Sequence, residues 1–271
     1  MYTYINESFI ASEKAVLQVN DLAIQRGYGI FDFFKTINGK FIFLEDHLDR
    51  FYYSAERMRL AVSNTRTELT DILHELSEKN RLLNSGIRVT LTGGYSEDGY
   101  SLGTPNLIIT QKELLFNAEE KPAGLKLVTY NHQRQMPDVK TTDYLMAIWL
   151  RPFVIERKAD DILYHTNGII TECPRTNFFI VTKDNHVITP AENILKGITR
   201  KYVLQVASSG YIVEERNISI ADAINSKEAF IASTTKGVTP VVEIDGNKIG
   251  NGSVGEVTTI LRKRLQQVIY S

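Results

Sequence analysis

Two rhythms of hydrophobic and polar positions run along the chain. From Glu45, the stretch EDHLDRFYYSAERMRL sets Leu48, Phe51, Tyr52, Ala55 and Met58 three and four residues apart, so one face of a helix is apolar. TELTDILHELSEKN repeats the pattern and predicts a second helix. KTINGKFIFLE places an Asn-Gly pair between two β-prone runs, the sequence form of a hairpin. GIRVTLTGGYSEDGYSLGTPNLIITQKEL gives two more strand-like runs around a glycine-rich loop from Gly93 to Gly103.

The polar, proline-containing FNAEEKPAG that follows predicts a domain boundary within residues 116 to 123, set at 118/119. Residues 1–118 then form a small α/β domain and 119–271 a larger mixed one, an α/β (α+β) chain of two domains. Beyond the boundary, GLKLVTYN, GIITECPRTNFFIVT and HVITP read as strands. A helix is expected from about Thr142, with Pro152 kinking it or ending it early. Trp149 on that helix reads as a core residue.

Composition narrows the function. The 271 residues are 43% hydrophobic and 23% charged, as in a globular protein with a sizeable core. Lys plus Arg number 31 against 32 Asp plus Glu, so no strong field points to nucleic acid or an anionic membrane, and small molecules are the expected partners. No stretch approaches the roughly 18 apolar residues of a membrane span, and the N-terminus MYTYINESFI lacks an export pattern. The single cysteine, Cys173, excludes an internal disulfide framework and reads as a buried thiol, which fits a cytoplasmic location. His132, His165 and His186 show no metal-ligand spacing, and no metal is expected.

Lys140 stands in QMPDVKTTDYLMA, after a proline turn and before an apolar run. A lysine amine forms Schiff bases, and an enzyme using pyridoxal 5'-phosphate needs one such lysine together with a carboxylate for the pyridine nitrogen and a cradle for the phosphate. Glu172 ends a β-like run. Gly197 opens a helix in NILKGITRKYVL, where the amides of Ile198 and Thr199 would point at an anion along the helix dipole. IASTTKGVTP adds Thr234 and Thr235, with hydroxyls and amides of their own.

The ordered series HLDR, Lys140, TECPRTNFF, LKGITR, STTKGVTPV resembles the fold-type IV pyridoxal phosphate enzymes, the class IV aminotransferases, from about Asp21 to about Gly250. The resemblance implies a D-amino acid aminotransferase-like fold, with Lys140 as the Schiff-base lysine and Glu172 as partner of the pyridine nitrogen. It makes Arg50, three residues after His47, the phosphate arginine. Ile198, Thr199 and one or both of Thr234 and Thr235 complete the phosphate cup, and Tyr144 supplies a hydroxyl near the ring oxygen. It also implies a homodimer in which the loop around Arg26 reaches a neighbour's cofactor.

Substrate choice within the family is read from finer departures. Phe31 stands where D-amino acid aminotransferases usually carry a tyrosine. The run Phe31, Asp32, Phe33, Phe34, Lys35 lacks the glycine of the branched-chain enzymes' Phe-Glu-Gly-Ile-Arg. The loop from Gly93 to Gly103 lacks the usual arginine and histidine of the D-amino acid enzymes, so Arg26 and Arg88, with Arg175 behind them, are the candidate holders of a substrate carboxylate. The first expectation is amino transfer between a D-amino acid and a 2-oxo acid such as 2-oxoglutarate or pyruvate. DGYS, from Asp98 to Ser101, also resembles the loop of aminodeoxychorismate lyases, the second expectation, ahead of a branched-chain L-amino acid enzyme. A non-catalytic binding protein of this fold would have no use for both Lys140 and Glu172.

Overall fold

The computed structural model describes residues 1–114 and 123–270. The chain partitions into one unit of Met1–Asn117 with Val139–Asp143 and another of Ala118–Asp138 with Tyr144–Ser271. The boundary expected at 118/119 lies outside the described residues.

In the first unit, β1 (Tyr2–Ile5), β2 (Ser8–Ala11), β3 (Gly29–Ile37), β4 (Lys40–Phe41), β5 (Ser85–Thr92) and β6 (Leu107–Glu113) form an antiparallel sheet in the order β2-β1-β6-β5-β3-β4. Asn38 and Gly39, with φ of 51° and 79°, make the β3–β4 turn. The helices are α1 (Leu22–Arg26), α2 (Leu44–Arg57) and α3 (Arg66–Asn80), the last opened by a Thr65–Glu68 capping box. Leu48, Phe51 and Ala55 of α2 and Leu69, Leu73 and Leu76 of α3 pack on Ile30, Phe34, Ile87, Val89 and Ile109 of the sheet. Alternation along the strands places Phe31, Phe33, Arg88 and Thr90 on the opposite face.

Val139–Asp143 lies along the start of β3. Phe31 N–H donates to the Lys140 carbonyl (3.0 Å), Thr142 N–H to that of Gly29 (2.9 Å), and Ile30 bridges Thr141. Val139 is fully buried in the same core.

The second unit contains β7 (Leu125–Asn131), α4 (Leu145–Trp149), α5 (Arg151–Glu156), β8 (Asp161–Thr166), β9 (Ile169–Ile170), β10 (Glu172–Cys173), β11 (Thr176–Val181) and β12 (Val187–Thr189). It continues through α6 (Ile198–Ser208), β13 (Val213–Glu215), β14 (Ile218–Ser219), α7 (Ile220–Ile224), β15 (Glu228–Ser233), β16 (Gly237–Ile244), β17 (Asn247–Lys248) and α8 (Glu256–Tyr270). Its sheet runs β13-β12-β11-β15-β16-β7-β8-β9-β14, with β10 on β11 and β17 on β16. The pairs β16–β7, β7–β8 and β12–β13 are parallel. Residues from α6 and α8, among them Val203, Ala207, Leu261 and Leu265, pack on the stacked rings of Phe179 and Phe230, 4.7 Å apart.

The helix expected from Thr142 starts at Leu145 and breaks at Leu150, and Pro152 sits in the first turn of α5, where its missing N–H costs no bond. Trp149 is not a core residue: it is 63% exposed. Leu150 and Val154 are the residues that this helix pair buries, against Val128, Ile162 and Tyr164, and Trp149 falls outside that narrow stripe.

Candidate active site

In the first unit, β3, β5 and the Val139–Asp143 segment converge on one phenyl ring. Lys140 Nζ lies 4.6 Å from the centroid of Phe31, and the guanidinium carbon of Arg88 lies 3.6 Å from it. The strand register explains the second contact: Phe31 pairs Thr90 and Phe33 pairs Arg88, so Arg88 is one step along the same face. Arg88 Nε donates to Thr90 Oγ1 at 3.4 Å.

Behind this group, helical spacing brings His47, Arg50 and Ser54 of α2 to one side. Arg50 grips buried Asp32 of β3 through Nε to Oδ2 (2.8 Å) and Nη2 to Oδ1 (2.9 Å). His47 Nδ1 stands 2.7 Å from Asp32 Oδ1. Burial alone would raise the Asp32 carboxyl, but the charges of Arg50 and His47 and their hydrogen bonds outweigh it and hold that carboxyl well below the usual range. Burial pushes the His47 imidazole down against the upward pull of Asp32. Nδ1 faces the Asp32 carboxylate and donates to it. The Ser54 hydroxyl lies 3.4 Å from the Lys140 backbone N–H.

Arg26 ends α1, is exposed, and donates through Nη1 to the Gln25 carbonyl (3.0 Å). A Cβ on Gly99 would come 3.3 Å from Arg26 Nη2, so the tip of the glycine-rich loop lies beside it. That loop is braced by Asp98, which accepts from the N–H groups of Tyr100 (2.8 Å) and Ser101 (2.7 Å) and from the Ser96 hydroxyl (3.0 Å).

In the second unit, Glu172 is buried on β10 and both of its oxygens are engaged. Oε1 accepts from Arg134 Nε (2.9 Å), and Oε2 from the Leu195 N–H (3.0 Å) and Asn177 Nδ2 (3.5 Å). Asn177 also donates to the Leu195 carbonyl (2.7 Å), which fixes the loop entering α6. Gly197 begins that helix at φ −67°, so it is not needed for a left-handed turn. It is needed for space, since a Cβ there would meet Asn177 Oδ1 at 2.2 Å. No side chain caps α6, and Ile198 and Thr199 of its first turn are buried. Thr234 and Thr235 lie in the β15–β16 turn, where Ser233 Oγ accepts from Lys236 N–H (3.2 Å) and stands 3.5 Å from Thr235 Oγ1. Tyr144 is half-buried at the N-cap of α4, and Arg175 is exposed.

The residues of the second unit fit pyridoxal 5'-phosphate. An uncapped helix start with a glycine at its mouth suits the phosphate, and the buried, fully oriented Glu172 suits a protonated ring nitrogen. Sequence reasoning missed Asp32, Arg134 and Asn177 as parts of the arrangement. Asn177 had a signal, five residues after Glu172 in the TECPRTNFF block; Arg134 sits in irregular chain and had none. Among the described residues no group of three or more His, Cys, Asp or Glu is placed to hold a metal, and no helix is long and apolar enough to cross a membrane.

The sequence matches the family described as Amino-transferase class IV over residues 29–244. It is 29% identical over 276 residues to a D-alanine aminotransferase of Staphylococcus haemolyticus, covering 99% of this chain and 98% of the relative. It is 30% identical over 283 residues to a putative branched-chain-amino-acid aminotransferase of Methanocaldococcus jannaschii, covering 99% and 96%. Among solved structures, the T.th. branched-chain amino acid aminotransferase with pyridoxamine 5'-phosphate superposes with a TM-score of 0.91 at 23% identity, over 99% of this chain and 94% of that one. That last likeness is one of fold.

Proposed function

The chain belongs to the class IV aminotransferases, and on that premise we propose that it moves an amino group between a D-amino acid and a 2-oxo acid such as 2-oxoglutarate or pyruvate. Pyridoxal 5'-phosphate is the cofactor, and when bound it supplies an electron sink for the pair left as the substrate α-proton departs. Lys140 is the residue that anchors it and then moves the proton at the substrate Cα. Glu172 accepts the hydrogen bond of the ring N–H. Arg50, Ile198, Thr199, Thr234 and Thr235 hold the phosphate, and Tyr144 directs its hydroxyl to the ring oxygen. Phe31, Arg88 and Arg26 bind the substrate.

The observation that carries the substrate reading is the shared ring of Phe31. A guanidinium suited to a carboxylate stands in the same cluster as the amine of Lys140, where a relative with tyrosine at position 31 would offer a hydroxyl. Phe33, standing where the branched-chain run has its glycine, further supports it. A branched-chain L-amino acid reading draws its support from the Methanocaldococcus jannaschii relative.

Purified protein with the cofactor, offered D-alanine, D-glutamate, L-leucine or aminodeoxychorismate, separates these readings by cofactor spectrum and product. Turnover of the D-amino acids with a 2-oxo acid is expected. Preference for L-leucine, or pyruvate release from aminodeoxychorismate without an amine acceptor, rejects the proposal. A homodimer in the cytoplasm completes the reading, with Arg26 serving the neighbour's site; the exposed apolar side chains of Leu145, Ile148, Trp149 and Ile155 support an assembly that covers them.

A further inference from the structure

We propose that Arg134 is a positioning residue that keeps the Glu172 carboxylate ionised and fixed in one orientation for the cofactor's ring nitrogen. The proposal rests on the reading of Glu172 given above. Arg134 and Glu172 form a largely buried pair, with side chains 16% and 6% exposed. The arginine fork spans two acceptors, Nε on Glu172 Oε1 and Nη2 on the Pro137 carbonyl at 2.7 Å, so its plane is set from both sides. The other carboxylate oxygen is held by Leu195 N–H and Asn177. Rotating the carboxylate therefore breaks a bond at one oxygen or the other.

Other titratable groups stand around Glu172 besides Arg134. Tyr164 and Cys173 both feel Glu172, and burial, joined by the charge of Asp161, pushes each of them up, so neither adds a negative charge at neutral pH. Asp161 is the neighbouring carboxylate, and Lys236 stands 3.9 Å from its Oδ2. Arg134 is a cation in direct contact with Glu172. A buried carboxylate stripped of its cation takes up a proton more readily, and a protonated Glu172 no longer favours a proton on the ring.

The test is a pH titration of apoprotein carrying ¹³C-carboxyl glutamate, with the Glu172 signal assigned by its loss in Glu172→Gln. Arg134→Gln is expected to raise the titration of Glu172 by about one pH unit or more, and Arg134→Lys to restore most of it. An unchanged titration in Arg134→Gln, or a lysine variant that behaves as the glutamine one, overturns the proposal. Should Arg134→Gln fail to fold, Arg134→Lys decides, because a lysine cannot reproduce the planar fork on Glu172 and Pro137. Retained ionisation with pyridoxal phosphate affinity about tenfold weaker is then expected, and wild-type affinity overturns the positioning role. A ¹⁵N-labelled cofactor keeps the two readings apart: a ring nitrogen indifferent to Glu172→Gln rejects the role of Glu172, whereas the apoprotein titration judges Arg134 by itself.

Discussion

The Lys140 amine and the Arg88 guanidinium share the ring of Phe31. Lys140→Ala is expected to abolish covalent trapping of the cofactor by borohydride; trapping at the wild-type level in that variant rules Lys140 out as the anchor. Glu172→Gln removes the charge that keeps the ring nitrogen protonated, and losing an electrostatic contribution of this kind typically adds roughly 2–4 kcal/mol to the barrier. Cofactor binding should survive it, so unchanged turnover in a cofactor-loaded Glu172→Gln enzyme is the adverse result. A charge-assisted bond contributes about 1.5–3 kcal/mol, so Arg88→Leu should weaken D-glutamate and 2-oxoglutarate use about ten- to a hundredfold with cofactor affinity intact. Steady-state kinetics alongside Arg26→Leu checks it, and indifference to both substitutions removes the arginines from substrate binding. Lys140 and Glu172 could be named as candidates from the sequence because each sits in a short block whose order along the chain is informative. Asp32 and Arg134 could not, because each acquires its partner only through folding: Asp32 meets Arg50 across 18 residues, and Arg134 meets Glu172 across 38.

At the scale of elements, α6 depends on what stands in front of it. Gly197→Ala would drive a methyl against Asn177 Oδ1, so either the side chain that orients Glu172 or the first turn of α6 must move. The expected outcome is weaker binding of pyridoxal phosphate, by about tenfold or more, with a smaller effect on pyridoxal, which lacks the phosphate. Equal losses for both ligands in a binding titration would remove the first turn of α6 from phosphate recognition. The glycine was visible in the sequence, but its reason was not, since the obstacle comes from a strand twenty residues earlier. The hairpin, α2 and α3 were legible from local pattern alone. The helix after Tyr144 was legible only in outline: Pro152 announced the break, but the exposure of Trp149 follows from the packing of Leu150 and Val154, which periodicity over two such short helices does not determine.

For the whole molecule, sedimentation at assay concentration is expected to give a homodimer, and an active monomer rejects that expectation. A polar stretch in the sequence suggested two parts, yet a linear reading could not show that Val139–Asp143 groups with Met1–Asn117. This has an evolutionary consequence. A crossover at the linker that exchanged residues 1–117 for those of a homologue would not transfer a whole folding unit, because Val139–Asp143 would stay with the recipient gene. The incoming β3 would have to dock on an inherited segment, its Phe31 N–H meeting a Lys140 carbonyl it had not been selected to match. Chimeras joined at the linker therefore test a seam running through the lysine itself, and those that carry both pieces together should be the ones that fold.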